Sequence, residues 1–310
     1  MVIWKMVDSE LLKILACPIC KSAVKFKDEE LTCLNEKCNA VFPVINDIPI
    51  MLVEVSDYHE FQQRYFENES KGYDKYELEN WRVSYLQRIF KALDMADDNQ
   101  QGLYLDIGVG SSGYTVIEAA KRGYTSVGVS LSSAEINKAN HFAQSELIGN
   151  NNRCNFVVCL AEYLPFKDNS FTKVSSIAVL EHIPEDEQAI IEISRVVRPG
   201  GKVFITVPNA YKRIPLIFWL PYYIHDKRIG HLRHYSVEDL KARFENYGFD
   251  VIDVAYIGHM IKIIQFILSH LFSHLKSRNS WLWWKMEEID FRLKNVKTGV
   301  HLSLTLLKKQ

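Results

Sequence analysis

Hydrophobic and polar positions change period along this chain. Residues 1–55 carry short strand-like runs, AVKFK, ELTCL and AVFPVI, and read as a small β-rich unit. Residues 56–100 are polar and aromatic with helical spacing, as in WRVSYLQRIFKAL, and predict a linker with one or two helices. From residue 102 apolar runs at 103–107, 125–130, 155–160, 172–179 and 202–207 alternate with helical runs at 114–122, 132–147 and 185–197. Near-continuous apolar strands between helices predict an α/β domain, 101–310, with a parallel sheet covered on both faces. A helix at 236–248 follows, its start marked by Ser236 with Glu238 and Asp239. Then come the strand FDVIDVAYIG and a closing strand, GVHLSLTLLKK.

Two apolar insertions interrupt this domain, at 211–235 and 258–297. The second opens HMIKIIQFILSHLFSHLK, where His259, Lys262, Ser269, Ser273 and Lys276 would form one narrow polar stripe on a helix. Segments 214–224 and 258–284 hold four of the six Trp. They suit a hydrophobic lid or an interfacial helix.

Charge changes this picture little overall but sharply by region. The net charge is -1, yet residues 200–310 hold 17 Lys+Arg against 9 Asp+Glu. The C-terminal third is thus a candidate face for an anionic surface, with peripheral membrane contact among the expectations. The N-terminus, MVIWKMVDSELLKILACPIC, lacks a secretory pattern, and no run reaches the ~18 apolar residues of a spanning helix. A cytoplasmic protein is expected, and a homo-oligomer stays open.

Four of six cysteines fall in 17–38. Cys17-Pro-Ile-Cys20 and Cys33-(x4)-Cys38 place four thiols at a spacing that suits tetrahedral Zn²⁺ in a structural site, and a unit this small needs such a staple. Cys154 and Cys159 read as core thiols. LLKILACPICKSAVKF, ELTC and FPVINDIPIML resemble the zinc-ribbon subunit that activates several tRNA and protein methyltransferases in trans. Cys38 is followed by Asn39, where that family usually has Cys-x2-Cys-Gly.

Gly108-x-Gly110-x-x-Gly113 follows an apolar strand ending in Asp106 and opens a helical run. Glycines there let backbone approach a bound cofactor. The string matches a dinucleotide fingerprint, but Asp106 before it and Ser130 at the end of the next strand argue against a nicotinamide. LDIGVGSSGYT, VGVSLSSAEINKA, AEYLPFKDNSF, VLEHI, ISRVVRPGGKVFITVPN and HLRHYSVEDLKARFENYGFDV, in order, resemble the class I S-adenosylmethionine-dependent methyltransferases of the small-molecule branch. That resemblance implies a Rossmann-like, mostly parallel seven-stranded sheet. It also implies cofactor-binding roles for Asp106, Gly108, Gly110, Ser112, Gly113, Ser130, Leu131, Ala161, Glu162 and Val179, with Leu180, Glu181 and His182 alongside. Ser130 and Leu160 stand where the family usually carries acids.

A base is needed only if the acceptor starts protonated. His182, His231, His234 and Tyr235 are the candidates. The acceptor expected from the domain type and the apolar insertions is a small molecule or lipid-linked compound: a quinone precursor, a lipid or a lipid-carried sugar. Two other readings stay open. One is an rRNA or tRNA methyltransferase with its ribbon in cis, although residues 1–55 lack a basic aromatic surface and nucleic acid is not the expected partner. The other is a non-catalytic assembly partner, on the strength of Ser130 and Leu160.

Overall fold

The computed structural model describes residues 7–95, 102–148, 154–213, 216, 219–261, 264 and 281–310. The N-terminal unit starts with α1 (Ser9–Ile14), capped by the Asp8 carboxylate, which accepts from the Glu10 and Leu11 N–H groups at 3.0 and 3.1 Å. An antiparallel meander follows: β1 (Val24–Lys27), β2 (Glu30–Cys33), β3 (Val41–Ile45) and β4 (Ile48–Pro49). Alternation in β2 and β3 turns Leu31, Cys33, Phe42 and Val44 inward. Two helices come next, α2 (Asp57–Ser70) and α3 (Asn80–Ala92).

The large domain alternates β5 (Leu103–Ile107), α4 (Tyr114–Lys121), β6 (Thr125–Ser130), α5 (Ser133–Glu146), β7 (Cys154–Val158), β8 (Phe171–Ile177), α6 (Asp186–Val196) and β9 (Val197–Pro208). Beyond it lie α7 (Trp219–Ile229), α8 (Val237–Asn246), β10 (Phe249–Ile257), α9 (Trp281–Arg292) and β11 (His301–Lys308). One seven-stranded sheet results, in the order β10-β11-β9-β8-β5-β6-β7. Only β11 runs against its neighbours, β9 and β10. The chain leaves β5 for β6 and β7 on one side and returns to β8 and β9 on the other. The carboxyl end of β5 therefore lies at the switch point where such sheets bind ligands.

The N-terminal unit and the large domain share one core. Leu11, Leu15, Phe42 and Met51 cluster with Val157, Leu164 and Phe166, all buried. Burying a side chain of this kind is worth roughly 1.5–3 kcal/mol. Backbone bonds stitch the joint: Ala16 N–H to Pro165 O at 2.9 Å, Lys167 N–H to Ile14 O at 2.8 Å and Met51 N–H to Val158 O at 2.8 Å. Ile50 bridges Val158 in parallel, so the small unit covers the exposed edge of β7. The Lys21 ammonium adds a bond to the buried Glu192 carboxylate at 2.8 Å.

Residues 56–100 are more than a connection. Leu86, Ile89, Phe90 and Leu93 of the α3 region pack with Tyr104 and Phe204 on the sheet, and α2 lies over the carboxyl edge described below. The second insertion also differs from expectation. Its polar stripe is not a solvent stripe at His259, which is buried and bonded through Nδ1 to Asp290 at 2.9 Å. Lys262, Ser269, Ser273 and Lys276 lie outside the described residues. Trp283 is buried and Trp281 is 72% exposed. Among the described residues, no helix is long and apolar enough to cross a membrane.

Candidate functional site: the carboxyl edge of the sheet

Asp106 ends in the interior of the sheet rather than in the cleft. Its carboxylate accepts from the hydroxyls of Thr115 and Ser175 and is buried. Burial pushes its pKa up to about 7, against the two hydroxyl bonds that lower it. The turn after it is tied to the next strand, since the N–H groups of Gly108 and Val109 donate to Val129 O at 2.9 and 3.0 Å. Gly108 has φ +73°, and a Cβ there would lie 2.3 Å from Val179 Cγ2. At Gly110, φ +64°, an added Cβ would meet nothing within 4 Å, so this glycine borders open space. Gly113 caps α4 in the left-handed region and sits against Ala139 of α5. Ser112 is buried beside it.

Ser130 is engaged within the protein. Its hydroxyl donates to Glu135 Oε2 at 2.7 Å and accepts from the Ser132 N–H at 3.1 Å. Glu135, in the first turn of α5, brings a carboxylate to the end of β6, where the sequence shows only a serine. Burial pushes its pKa up to about 7, with Ser130 and Ser111 pulling it down. The sequence reading missed Glu135. The available signal was an acid in the first turn of a helix that directly follows the strand.

Helix α2 roofs this edge. Its Gln63 amide donates to Leu131 O at 3.2 Å, and His59 Nε2 pairs with Glu162 Oε1 at 3.0 Å. Glu162, after Ala161 in a single 3-10 turn, is buried. Further along α2, Tyr58 donates to Gly230 O, and the Phe66 ring meets His182 edge-on at 5.7 Å. His59, Gln63 and Phe66 of the predicted linker thus close over Glu162, Leu131 and His182.

A second group of side chains stands beside the glycine turn. Ala178 takes φ +53°, a conformation rare for a residue with a Cβ, and this bend delivers Val179 onto Gly108. Leu180, Glu181 and His182 form the next turn. The Leu232 N–H donates to Glu181 O at 2.9 Å, which pins segment 231–235 against that turn. His231 Nδ1 is bonded to Asp226 Oδ1 at 2.7 Å, leaving Nε2 3.8 Å from Glu181 Oε1. Neither carboxyl oxygen of Glu181 has a hydrogen-bond partner from another residue, and burial, opposed by its own backbone N–H and helped by the Asp226 charge, pushes its pKa up to about 8. His182 Nδ1 is buried without a partner, and burial together with His231 holds the ring neutral, its pKa lowered to about 3.

His234 and Tyr235 are differently placed. His234 bonds the Asn209 carbonyl through Nδ1 and Asp226 Oδ2 through Nε2, both at 2.7 Å, so both ring nitrogens are committed within the protein. It stacks on Tyr211 at 4.2 Å. The Tyr235 hydroxyl donates to Asp186 at 2.8 Å and lies 3.1 Å from Leu180 O, and burial raises its pKa far beyond the usual phenol range. Of the four acid–base candidates, His182 and His231 come together, their rings 4.7 Å apart beside Glu181, and the other two are structural ties. A cavity lined by Arg88, Lys202, Phe204, Ile252 and Phe291 contains none of these residues.

In the N-terminal unit, Cys17, Cys20, Cys33 and Cys38 present sulfurs within 4.8 Å of one another, with no disulfide. The 17–38 and 20–33 pairs are 3.8 and 3.4 Å apart. Tetrahedral Zn–S bonds of about 2.3 Å put sulfurs about 3.8 Å apart, so the four thiols fit a structural zinc. The long second pair closes through Asn35, whose carbonyl accepts from Cys38 and Asn39 N–H at 2.9 and 3.0 Å, with Asn39 at φ +48°.

Comparison with known proteins agrees with this geometry. Residues 8–47 match the family described as Trm112p-like protein. A 49-residue stretch is 49% identical to a UPF0434 protein of Nitrosococcus oceani, covering 80% of that protein and 15% of this chain. Residues 105–205 match the family described as Methyltransferase domain. The chain belongs to the Trm112p-like family by its first domain and carries a methyltransferase domain behind it. The methyltransferase domain is similar to the chloroplastic tocopherol O-methyltransferase of Arabidopsis thaliana, 27% identical over 156 residues and 44% of each chain. Its fold is that of Haemonchus contortus phosphoethanolamine N-methyltransferase 2, solved with S-adenosyl-L-methionine: TM-score 0.60, 20% identity, 84% of this chain and 62% of that one. The chain spans less than half the length of the curated methyltransferases it first matches.

Proposed function

We propose that this protein transfers the methyl group of S-adenosylmethionine to a small-molecule or lipid-linked acceptor bound beside Glu181, His182 and His231. The observation that carries the reading is the carboxyl edge of the sheet at the switch point, where Gly110 borders open space, the Glu135 carboxylate meets Ser130 at the end of β6, and α2 reaches Leu131. In this reading Gly108, Gly110, Ser112 and Gly113 form the cradle for the cofactor. Glu135, oriented by Ser130, accepts from the ribose hydroxyls, and Leu131, Ala161, Glu162 and Val179 line the adenine side. Asp106 acts indirectly, holding the strand end through Thr115 and Ser175.

When bound, the cofactor supplies a sulfonium whose methyl is already electrophilic. The chain's own task is then mainly to align the acceptor and exclude water, and positioning can supply much of the rate. Helix α2 shuts the cofactor side. On the acceptor side, Leu220, Tyr223 and Ile224 of α7 are more than half exposed and offer an apolar wall. An apolar acceptor agrees with the tocopherol methyltransferase likeness. A peripheral place at a membrane agrees with these residues and the basic C-terminal third.

Calorimetry with S-adenosylmethionine and S-adenosylhomocysteine tests the first half, with micromolar binding expected. Absence of binding at millimolar cofactor leaves the domain a non-catalytic partner. Labelled methyl transfer to a panel of prenylated phenols, lipids and bulk RNA tests the second half. Label entering RNA and not the apolar panel overturns the acceptor class.

A further inference from the structure

The Glu181 carboxylate is fully buried, has no internal partner on either oxygen and stands among imidazoles. A buried carboxyl in that state is costly unless something else binds it. The neighbouring cluster, Asp226 with His231 and His234, is different, because its members bond one another at 2.7 Å and need nothing further. One ligand atom each from Glu181, His182 and His231 lies within 4.8 Å of the others. The His231 Nε2 to Glu181 Oε1 gap of 3.8 Å is too long for a hydrogen bond. Two ligands about 2.1 Å from a tetrahedral ion lie about 3.4 Å apart, so the gap would close by a few tenths of an ångström around an ion.

We infer that Glu181, His182 and His231 form a second metal site, for a divalent transition ion, at the acceptor side of the cleft. Two imidazoles and one carboxylate with remaining positions open suit a first-row ion better than Mg²⁺ or Ca²⁺, which prefer all-oxygen sets. The outer layer is present too. Asp226 holds His231 by Nδ1 and thereby turns Nε2 toward Glu181, the carboxylate–histidine arrangement that orients metal ligands. The backbone bond from Leu232 to Glu181 fixes the two ligand-bearing segments together. Glu181 follows Val179, which contacts Gly108, by two residues, so the ion would face an oxygen or nitrogen acceptor beside the cofactor cradle. The inference concerns binding and does not depend on which acceptor is used.

The test titrates Co²⁺ into the full-length, zinc-loaded protein. Thiolate-to-cobalt absorption reports any replacement in the cysteine cluster, and ligand-field bands without it report the nitrogen–oxygen site. One such Co²⁺ per chain is expected, with a raised thermal midpoint. Glu181→Gln and His231→Ala should each weaken binding more than tenfold, and Asp226→Asn by 10–100-fold. Without metal, Glu181→Gln should melt no lower than the wild type, since it removes an unpartnered acid, so it controls for misfolding. Binding unchanged in both ligand variants, or no Co²⁺ beyond the cysteine cluster, overturns the site.

Discussion

In the proposed reading, the cofactor and acceptor sides of the sheet's carboxyl edge use their buried carboxyl groups in opposite ways. On the cofactor side, Asp106 is held by Thr115 and Ser175, and Glu135 by Ser130. On the acceptor side, Glu181 is just as buried and accepts no hydrogen bond from another residue, His231 Nε2 being 3.8 Å away. A carboxyl with internal partners shapes a surface that exists before any ligand arrives. One without them marks a place where the ligand completes the structure. The cofactor side should therefore be preformed and sensitive to shape, and the acceptor side should be sensitive to chemistry.

The strongest way to break this contrast is Gly108→Ala. The new Cβ meets Val179 at 2.3 Å in a left-handed backbone, so the turn must shift. We expect cofactor affinity by calorimetry to fall about 100-fold, roughly 2.7 kcal/mol. A change under threefold would mean the turn is not preformed. Glu181→Gln comes next, with cofactor affinity expected within twofold of wild type while turnover falls on the order of 100-fold. Equal losses in both readouts would erase the distinction between the sides.

Glu135→Gln sharpens the contrast with a smaller effect, about a tenfold loss of cofactor affinity or ~1.4 kcal/mol. Its pH dependence gives the sign. The folded pKa is raised to about 7 from 4.5, so the native state binds the proton more tightly than the unfolded chain. Stability of the cofactor-free protein should fall as pH rises through that window, and less so in the variant, read as thermal midpoints at pH 5 and 8. Cofactor affinity should rise over the same window as the carboxylate forms, and stay flat in Glu135→Gln. Leu220→Ser on the exposed face of α7 should have the smallest effect, a two- to threefold rise in KM for an apolar acceptor with cofactor binding untouched. A matching loss with a water-soluble acceptor would show that α7 is not an apolar wall.

The sheet was legible because parallel strands covered on both faces are apolar along their length, and the predicted runs match β5 to β9 within a few residues. Four cysteines announce themselves by spacing. Glu135 was not legible because its partner Ser130 lies across a strand-to-helix turn, where neither the strand period nor the helix period relates them. The roof was missed because Tyr58, His59 and Gln63 are polar, and their partners Gly230, Glu162 and Leu131 are 172, 103 and 68 residues away. Asp226 reads as one charge in the run HDKR, yet it orders two histidines. Long-range polar pairing leaves no period in a sequence, whereas apolar burial does.

The seam at Ile50, Met51 and Val158 has a further consequence. A ribbon made as a separate subunit meets its partners by diffusion and divides itself among them according to supply. Here the same edge is met by a tethered segment at an effective concentration that dilution cannot lower. Each molecule carries its own edge cover in fixed one-to-one proportion. The β7 edge is therefore covered within the chain itself.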